Sequence, residues 1–203
     1  MPKLAGFMAL FRKLWFSLLA VAAFTSARAI ERDFKQTFVV QPGCTLKIDT
    51  YRGGIIVTEG DQPEIRVTAL MEIGVETEAE ADRLREALKL EISEENNTVS
   101  IRARNPRETR VRFVWNDKLQ IDLAWRITVP RQCNVDLKTL NGGITVGNLT
   151  GRVVAWAETG AVYLKRVEGS IDARTETGDI IISRCTGAAK ASVMRGTIRV
   201  GTM

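Results

Sequence analysis

The chain predicts an all-β fold: a parallel β-solenoid with about 18 residues per coil, plus an inserted antiparallel strand patch carrying one short α-helix. Three observations lead there. Gly142, Gly151, Gly160, Gly169, Gly178, Gly187 and Gly196 recur at nine-residue intervals, and self-similarity at a fixed period marks a repeat architecture. The second and fourth residues after each glycine are apolar, as in Ile144/Val146, Val153/Ala155, Val162/Leu164, Ile171/Ala173, Ile180/Ile182, Ala189/Ala191 and Ile198/Val200. That is one short strand per repeat, facing inward at every second position. Finally, alternate repeats match better than adjacent ones: Ala155, Ala173 and Ala191 share a register, whereas Val146, Leu164, Ile182 and Val200 occupy it in the other set. Two unlike strands therefore make one coil.

The elements follow in chain order. Residues 1–29 have the zones of a secretory signal: Lys3, Arg12 and Lys13, an apolar run from Leu14 to Phe24, and Ala27-Arg28-Ala29 before the cleavage point. The apolar run is far short of the roughly 20 residues that cross a bilayer, and no cysteine follows it to carry a lipid. Cleavage after Ala29 leaves a single domain, 30–203, expected in the periplasm, at the cell surface or outside the cell. The chain has 29 Lys and Arg against 24 Asp and Glu. Four of the basic residues lie in the leader, so the remainder is nearly neutral and no nucleic-acid partner is expected.

Residues 44–57 read as a first coil, since Cys44, Leu46, Ile48, Gly53, Ile55 and Val57 repeat the spacing of Cys133, Val135, Leu137, Gly142, Ile144 and Val146. Residues 58–132 read as an insertion. In it, Glu64 to Ile73 and Thr98 to Arg104 are strands. Thr77-Glu78-Ala79-Glu80 is a capping box for a helix with Ala81, Leu84, Ala87 and Leu88 on one face. Leu119 to Val129 alternates without a fault, and Asn116-Asp117-Lys118 can turn the chain back from a Val111 to Trp115 strand. Residues 133–203 carry the regular coils.

This order of parts resembles the bacterial putative-adhesin domain family, a domain of unknown function in exported and membrane-anchored envelope proteins. The likeness is carried by Leu46-Lys47-Ile48 with Gly53-Gly54-Ile55-Ile56-Val57, by Ile127-Thr128-Val129-Pro130, and by Leu140-Asn141-Gly142-Gly143-Ile144-Thr145-Val146 followed by Thr177-Gly178-Asp179-Ile180. The resemblance implies a β-solenoid in the cell envelope and brings no catalytic residues with it. A calcium β-roll needs an aspartate at a fixed place in every repeat, and Asp172 and Asp179 stand isolated.

Four groups of residues invite a functional reading. Glu158 and Glu176 share a register, which suits either a solvated ladder or a carboxylate pair for cation binding or hydrolysis. Lys138, Trp156, Arg174 and Ser192 form an outward ladder in which cations could flank the indole or the indole could stack on a sugar; packing is the plainer role. Arg102, Arg104, Arg107, Arg110 and Arg112 make a basic run suited to anionic lipid or glycan, or to plain solvation. Cys44 and Cys133 hold equivalent places and are within disulfide reach if their coils stack directly, whereas Cys185 sits at an inward position. The absence of histidine excludes histidine-dependent triads and histidine-rich metal sites.

The reading is an exported, non-enzymatic adhesin-like binding or scaffolding surface, without cofactor, metal or catalytic residues. Its partner is a protein or glycan of the envelope, and self-association through a C-terminal edge at Ile198 and Val200 is a second mode. The alternatives are a polysaccharide-acting enzyme on a parallel β-helix and an envelope-stress regulatory partner.

Overall fold

The computed structural model describes residues 30–73, 77–104 and 121–202. The expected leader, the Val111 to Trp115 strand and its turn, and Arg107, Arg110 and Arg112 lie outside them. The described residues form an all-β fold, with two mostly parallel sheets and one helix. Strands β1 (Ile30–Val39), β2 (Cys44–Arg52), β3 (Ile55–Gly60) and β4 (Glu64–Ile73) precede α1 (Glu78–Ala87). There follow β5 (Lys89–Glu95), β6 (Thr98–Arg104), β7 (Ile121–Pro130), β8 (Cys133–Asn141), β9 (Ile144–Thr150), β10 (Val153–Thr159) and β11 (Val162–Glu168). The last are β12 (Ile171–Thr177), β13 (Ile180–Cys185), β14 (Ala189–Arg195) and β15 (Ile198–Thr202). One sheet runs β1-β4-β7-β3-β9-β11-β13-β15 and the other β14-β12-β10-β8-β2-β6-β5.

From β8 onward, successive strands alternate between the sheets, and each strand from β8 to β13 pairs in parallel with the strand two places later. The registers Ile144↔Val162↔Ile180↔Ile198 and Val135↔Val153↔Ile171↔Ala189 step by 18 residues. Inward apolar residues from both sheets fill the space between, and Ile144, Val162 and Ile180 are fully buried. The sequence copy at 44–57 docks directly on this stack, with Cys44 opposite Cys133 and Ile55 opposite Ile144.

The intervening region differs from the separate antiparallel patch that the sequence suggests. Antiparallel pairing is present, in β5 with β6, β4 with β7 and β1 with β4. Yet β6 lies parallel to β2, and β7 parallel to β3. The segment thus extends both sheets before reversing direction, because Val99, Ile101, Leu123, Trp125 and Ile127 bury the same inner face that the repeats bury. Strands β1 and β5, which show no repeat spacing, are found only in three dimensions. Asn96 and Asn97 turn β5 into β6 with φ of 50° and 58°, a left-handed pair that short polar side chains tolerate in a two-residue hairpin.

Corner glycines are needed for space as well as for their backbone angles. At Gly160 and Gly178, φ is 148° and 145°, and an added Cβ would press against the backbone carbonyl of Gly142 and Gly160 respectively. Each corner rests on the corner before it. Buried threonines satisfy corner carbonyls: Thr139 Oγ1 donates to Gly53 O at 3.1 Å and Thr175 Oγ1 to Gly160 O at 2.9 Å. Trp125 is fully buried, and its Nε1–H donates across the core to Thr50 Oγ1 at 3.3 Å.

Candidate functional site

Because strand residues alternate between faces, the register that builds the core also aligns the outward side chains of the seven-stranded sheet. One row crosses the strands as Glu91, Arg102, Asp49, Lys138, Trp156, Arg174 and Ser192. The neighbouring row is Ser93, Ser100, Lys47, Asp136, Val154, Asp172 and Lys190. Charges alternate in sign along the first row up to Lys138, and the second row sets Lys47 beside Asp136. Opposite charges directly across adjacent strands favour the pairing. The same arrangement gives the face closely spaced donors and acceptors with little net charge.

Trp156 lies in the middle of that face and is only partly buried. Lys138 Nζ stands 4.9 Å from the ring centroid, a cation–π contact. The expectation of a cation on both sides of the indole needs correction. Arg174 turns along its own strand instead, its Nε and Nη2 donating to the two carboxylate oxygens of Asp172 at 3.0 and 2.9 Å. That forked hydrogen bond draws the Asp172 carboxyl below its ordinary value and raises the Arg174 guanidinium. Among the described residues, Lys138 is the cation held over the Trp156 ring.

Next to the aromatic, a shallow groove of about 360 Å3 is lined by Lys47, Asp49, Glu91, Arg102, Asp136 and Lys138, among others. A second, of about 450 Å3, adjoins it along Lys47 and Asp136 and reaches Asn134, Arg152 and Val154. Asn134 is itself fixed, its Oδ1 accepting from Arg152 N–H at 2.9 Å.

The other sequence-predicted residues scatter around this face. Glu158 and Glu176 are exposed near the ends of neighbouring strands β10 and β12. Arg102 belongs to the groove, and Arg104 lies exposed at the end of β6. The described residues form no cluster of three or more acidic or cysteine side chains that could hold a metal ion. Cys185 is buried, its thiol within reach of Gly169 O and Gly187 O at 3.4 and 3.3 Å. On the opposite sheet, Glu59 accepts hydrogen bonds from the Asn148 backbone N–H at 3.0 Å and from Asn148 Nδ2 at 2.6 Å. The backbone bond leads in lowering the Glu59 carboxyl. Asp179 likewise accepts from the Thr197 backbone N–H and hydroxyl, at 2.8 and 2.9 Å, and its carboxyl is lowered.

Asp49 escaped the sequence reading although its signal was present, since it follows Cys44 by the same count as Lys138 follows Cys133. Glu91 lies on a strand with no repeat spacing, so only pairing reveals its place.

Several solved structures are similar to this chain. A putative cell adhesion protein from Clostridium sporogenes matches with a TM-score of 0.44 and 8% identity over 85% of this chain and 100% of its own. A putative adhesin from Bacteroides fragilis matches with a TM-score of 0.31 and 11% identity over 85% of this chain and 97% of its own. A putative lipid binding protein from Parabacteroides distasonis gives 0.30 and 9% over 85% and 97%. No family model matches the chain, and no curated protein matches it. These likenesses carry no assignment of ligand or activity. Among the described residues, no helix is long and apolar enough to cross a membrane.

Proposed function

We propose that this chain is an exported, non-enzymatic β-solenoid of the cell envelope, cleaved after Ala29, that binds a glycan or protein partner through the outer face of its seven-stranded sheet. The observation that carries the reading is the row Glu91, Arg102, Asp49, Lys138 and Trp156, held in register beside a groove lined by charged side chains. An aromatic platform flanked by spaced donors and acceptors suits a polar ligand with flat apolar patches, the chemistry of a sugar chain. Arg102, Asp49, Lys138 and Trp156 sit on strands fixed by pairing on both sides, so little ordering is lost when a ligand arrives.

Titration of the protein with soluble envelope polysaccharide, followed by calorimetry, tests this. Trp156→Ala and the Asp49→Ala/Lys138→Ala pair are each expected to weaken binding tenfold or more, with the unfolding midpoint little changed. Binding that survives both changes intact rejects the face as the site. Turnover of the polysaccharide that disappears in Glu158→Gln/Glu176→Gln would instead support the hydrolytic alternative.

Self-association belongs to the same proposal as a second mode. Ile198 and Val200 are 41% and 40% exposed, whereas Ile180 and Ile182 at the same register are fully buried. A second copy laid against β14 and β15 would cover them and pair the free backbone groups of that edge. Light scattering should then show a dimer or larger species that Val200→Lys returns to monomer.

A further inference from the structure

We infer that Cys44 and Cys133 are joined by a disulfide in the oxidised protein, a covalent tie between the β2–β3 pair and the β8–β9 pair. This does not rest on the binding proposal.

The two cysteines stand directly opposite each other on adjacent parallel strands. Strands so paired are about 4.8 Å apart, inside the roughly 4.4–6.8 Å between Cα atoms that a disulfide spans. Both side chains point into the core and are buried, and their sulfurs lie 3.1 Å apart. The pair is separated by 89 residues of sequence, so the bond would close a loop containing β3 to β7. Cys185, on the other sheet, faces the corner carbonyls of Gly169 and Gly187 instead. One partnership is therefore built into the register and the third thiol is left out of it.

The chemistry is thiol–disulfide exchange with a small-molecule disulfide such as oxidised glutathione. The hydrogen bond shared with Cys133 lowers the Cys44 thiol, while that bond and burial raise the Cys133 thiol. Before the fold encloses them either thiol can attack first, and the steps are equivalent whichever leads. With Cys44 leading, its thiolate attacks one glutathione sulfur, forming a mixed disulfide and releasing one glutathione thiolate. Cys133, losing its proton as it attacks, then displaces the second glutathione from Cys44. Two cysteine thiols are oxidised, one glutathione disulfide is reduced, and the two protons end on the two glutathione thiols. The exchange takes place as the chain folds, before the two thiols are enclosed.

The test uses the whole chain, purified reduced and refolded in a mixture of reduced and oxidised glutathione. It is then alkylated without reduction and digested with trypsin. The expected product is the peptide 36–47 linked to 132–138, with Cys185 alkylated. Reduction should lower the thermal midpoint by about 5 to 15 °C. Cys185→Ala should keep that shift, and Cys44→Ala/Cys133→Ala should lose it. Recovery of 36–47 and 132–138 as separate alkylated peptides, or of Cys185 linked to either, overturns the inference. Because the peptide map is made on the unsubstituted chain, the answer stands even if the double variant fails to fold.

Discussion

The two ends of the stacked sheets solve the same problem differently. Where β6 and β7 follow β2 and β3, the sheets continue and then reverse into β5, β4 and β1, and Ile65, Val67, Val99, Leu123 and Trp125 are buried. At β14 and β15 the repeat simply reaches its last described strands, and Ile198 and Val200 are left partly open. An inward residue in such a stack is covered partly by its own strand pair and partly by the pairs on either side. The repeat pattern sets which residues face inward, but only a neighbouring strand pair encloses them. Reversing strands that break the repeat can supply that cover, and they do so at the N-terminal end.

This contrast can be broken in graded ways, each measured by urea unfolding. The largest effect is expected from Gly160→Ala, about 4 kcal/mol or more, since the new methyl meets the Gly142 carbonyl and the backbone angle is unfavourable to it. Gly196→Ala meets Gly178 in the same way but lies in the corner between β14 and β15, the last described strands, where the chain has more room to shift outward, so its cost should be clearly smaller. Equal costs would show that the last described corner is as constrained as one in the middle of the stack.

Next comes the core column. Ile180→Ala removes a fully buried side chain and should cost about 3 to 4 kcal/mol. Ile198→Ala, at the same register, should cost about 1 kcal/mol. Trp125→Phe tests the N-terminal end: it deletes the donor to Thr50 and part of a buried ring, with a loss of about 2 kcal/mol.

The smallest effect concerns Glu59, whose lowered carboxyl reflects its bonds to Asn148. A group lowered by folding stabilises above its unfolded value, here near 4.5, and loses that contribution as pH falls through the folded value. The stability gap between the natural chain and Glu59→Gln should be under about 1 kcal/mol at pH 6, because the carboxylate is near the surface. It should shrink as pH falls below about 4.5. A gap that widens with acid would contradict this.

Much of the regular half was legible in the sequence, because a nine-residue glycine interval and a period of two fix both the corners and the inward positions. The copy at 44–57 was legible for the same reason, and its count from Cys44 already matched Leu46 to Val135 and Ile55 to Ile144. The places of β6 and β7 were not. Their alternation identifies strands, but which edge a strand joins depends on partners distant in the chain. The glycines carried a second meaning hidden from the sequence, the close approach of one corner to the next. The candidate face was half legible: Lys138, Trp156 and Arg174 follow from the period, whereas Arg174 is held by Asp172 through side-chain geometry that spacing does not encode.

The central claim is that one inward register continues unbroken from the strands at 44–57 into the 18-residue repeats beyond residue 133. Methyl-to-methyl nuclear Overhauser contacts in protein labelled at Ile and Val test it most directly. The account predicts a ladder linking Ile55 to Ile144, Ile144 to Val162, Val162 to Ile180 and Ile180 to Ile198. Absence of the Ile55–Ile144 contact, or a ladder offset by one repeat, would contradict it.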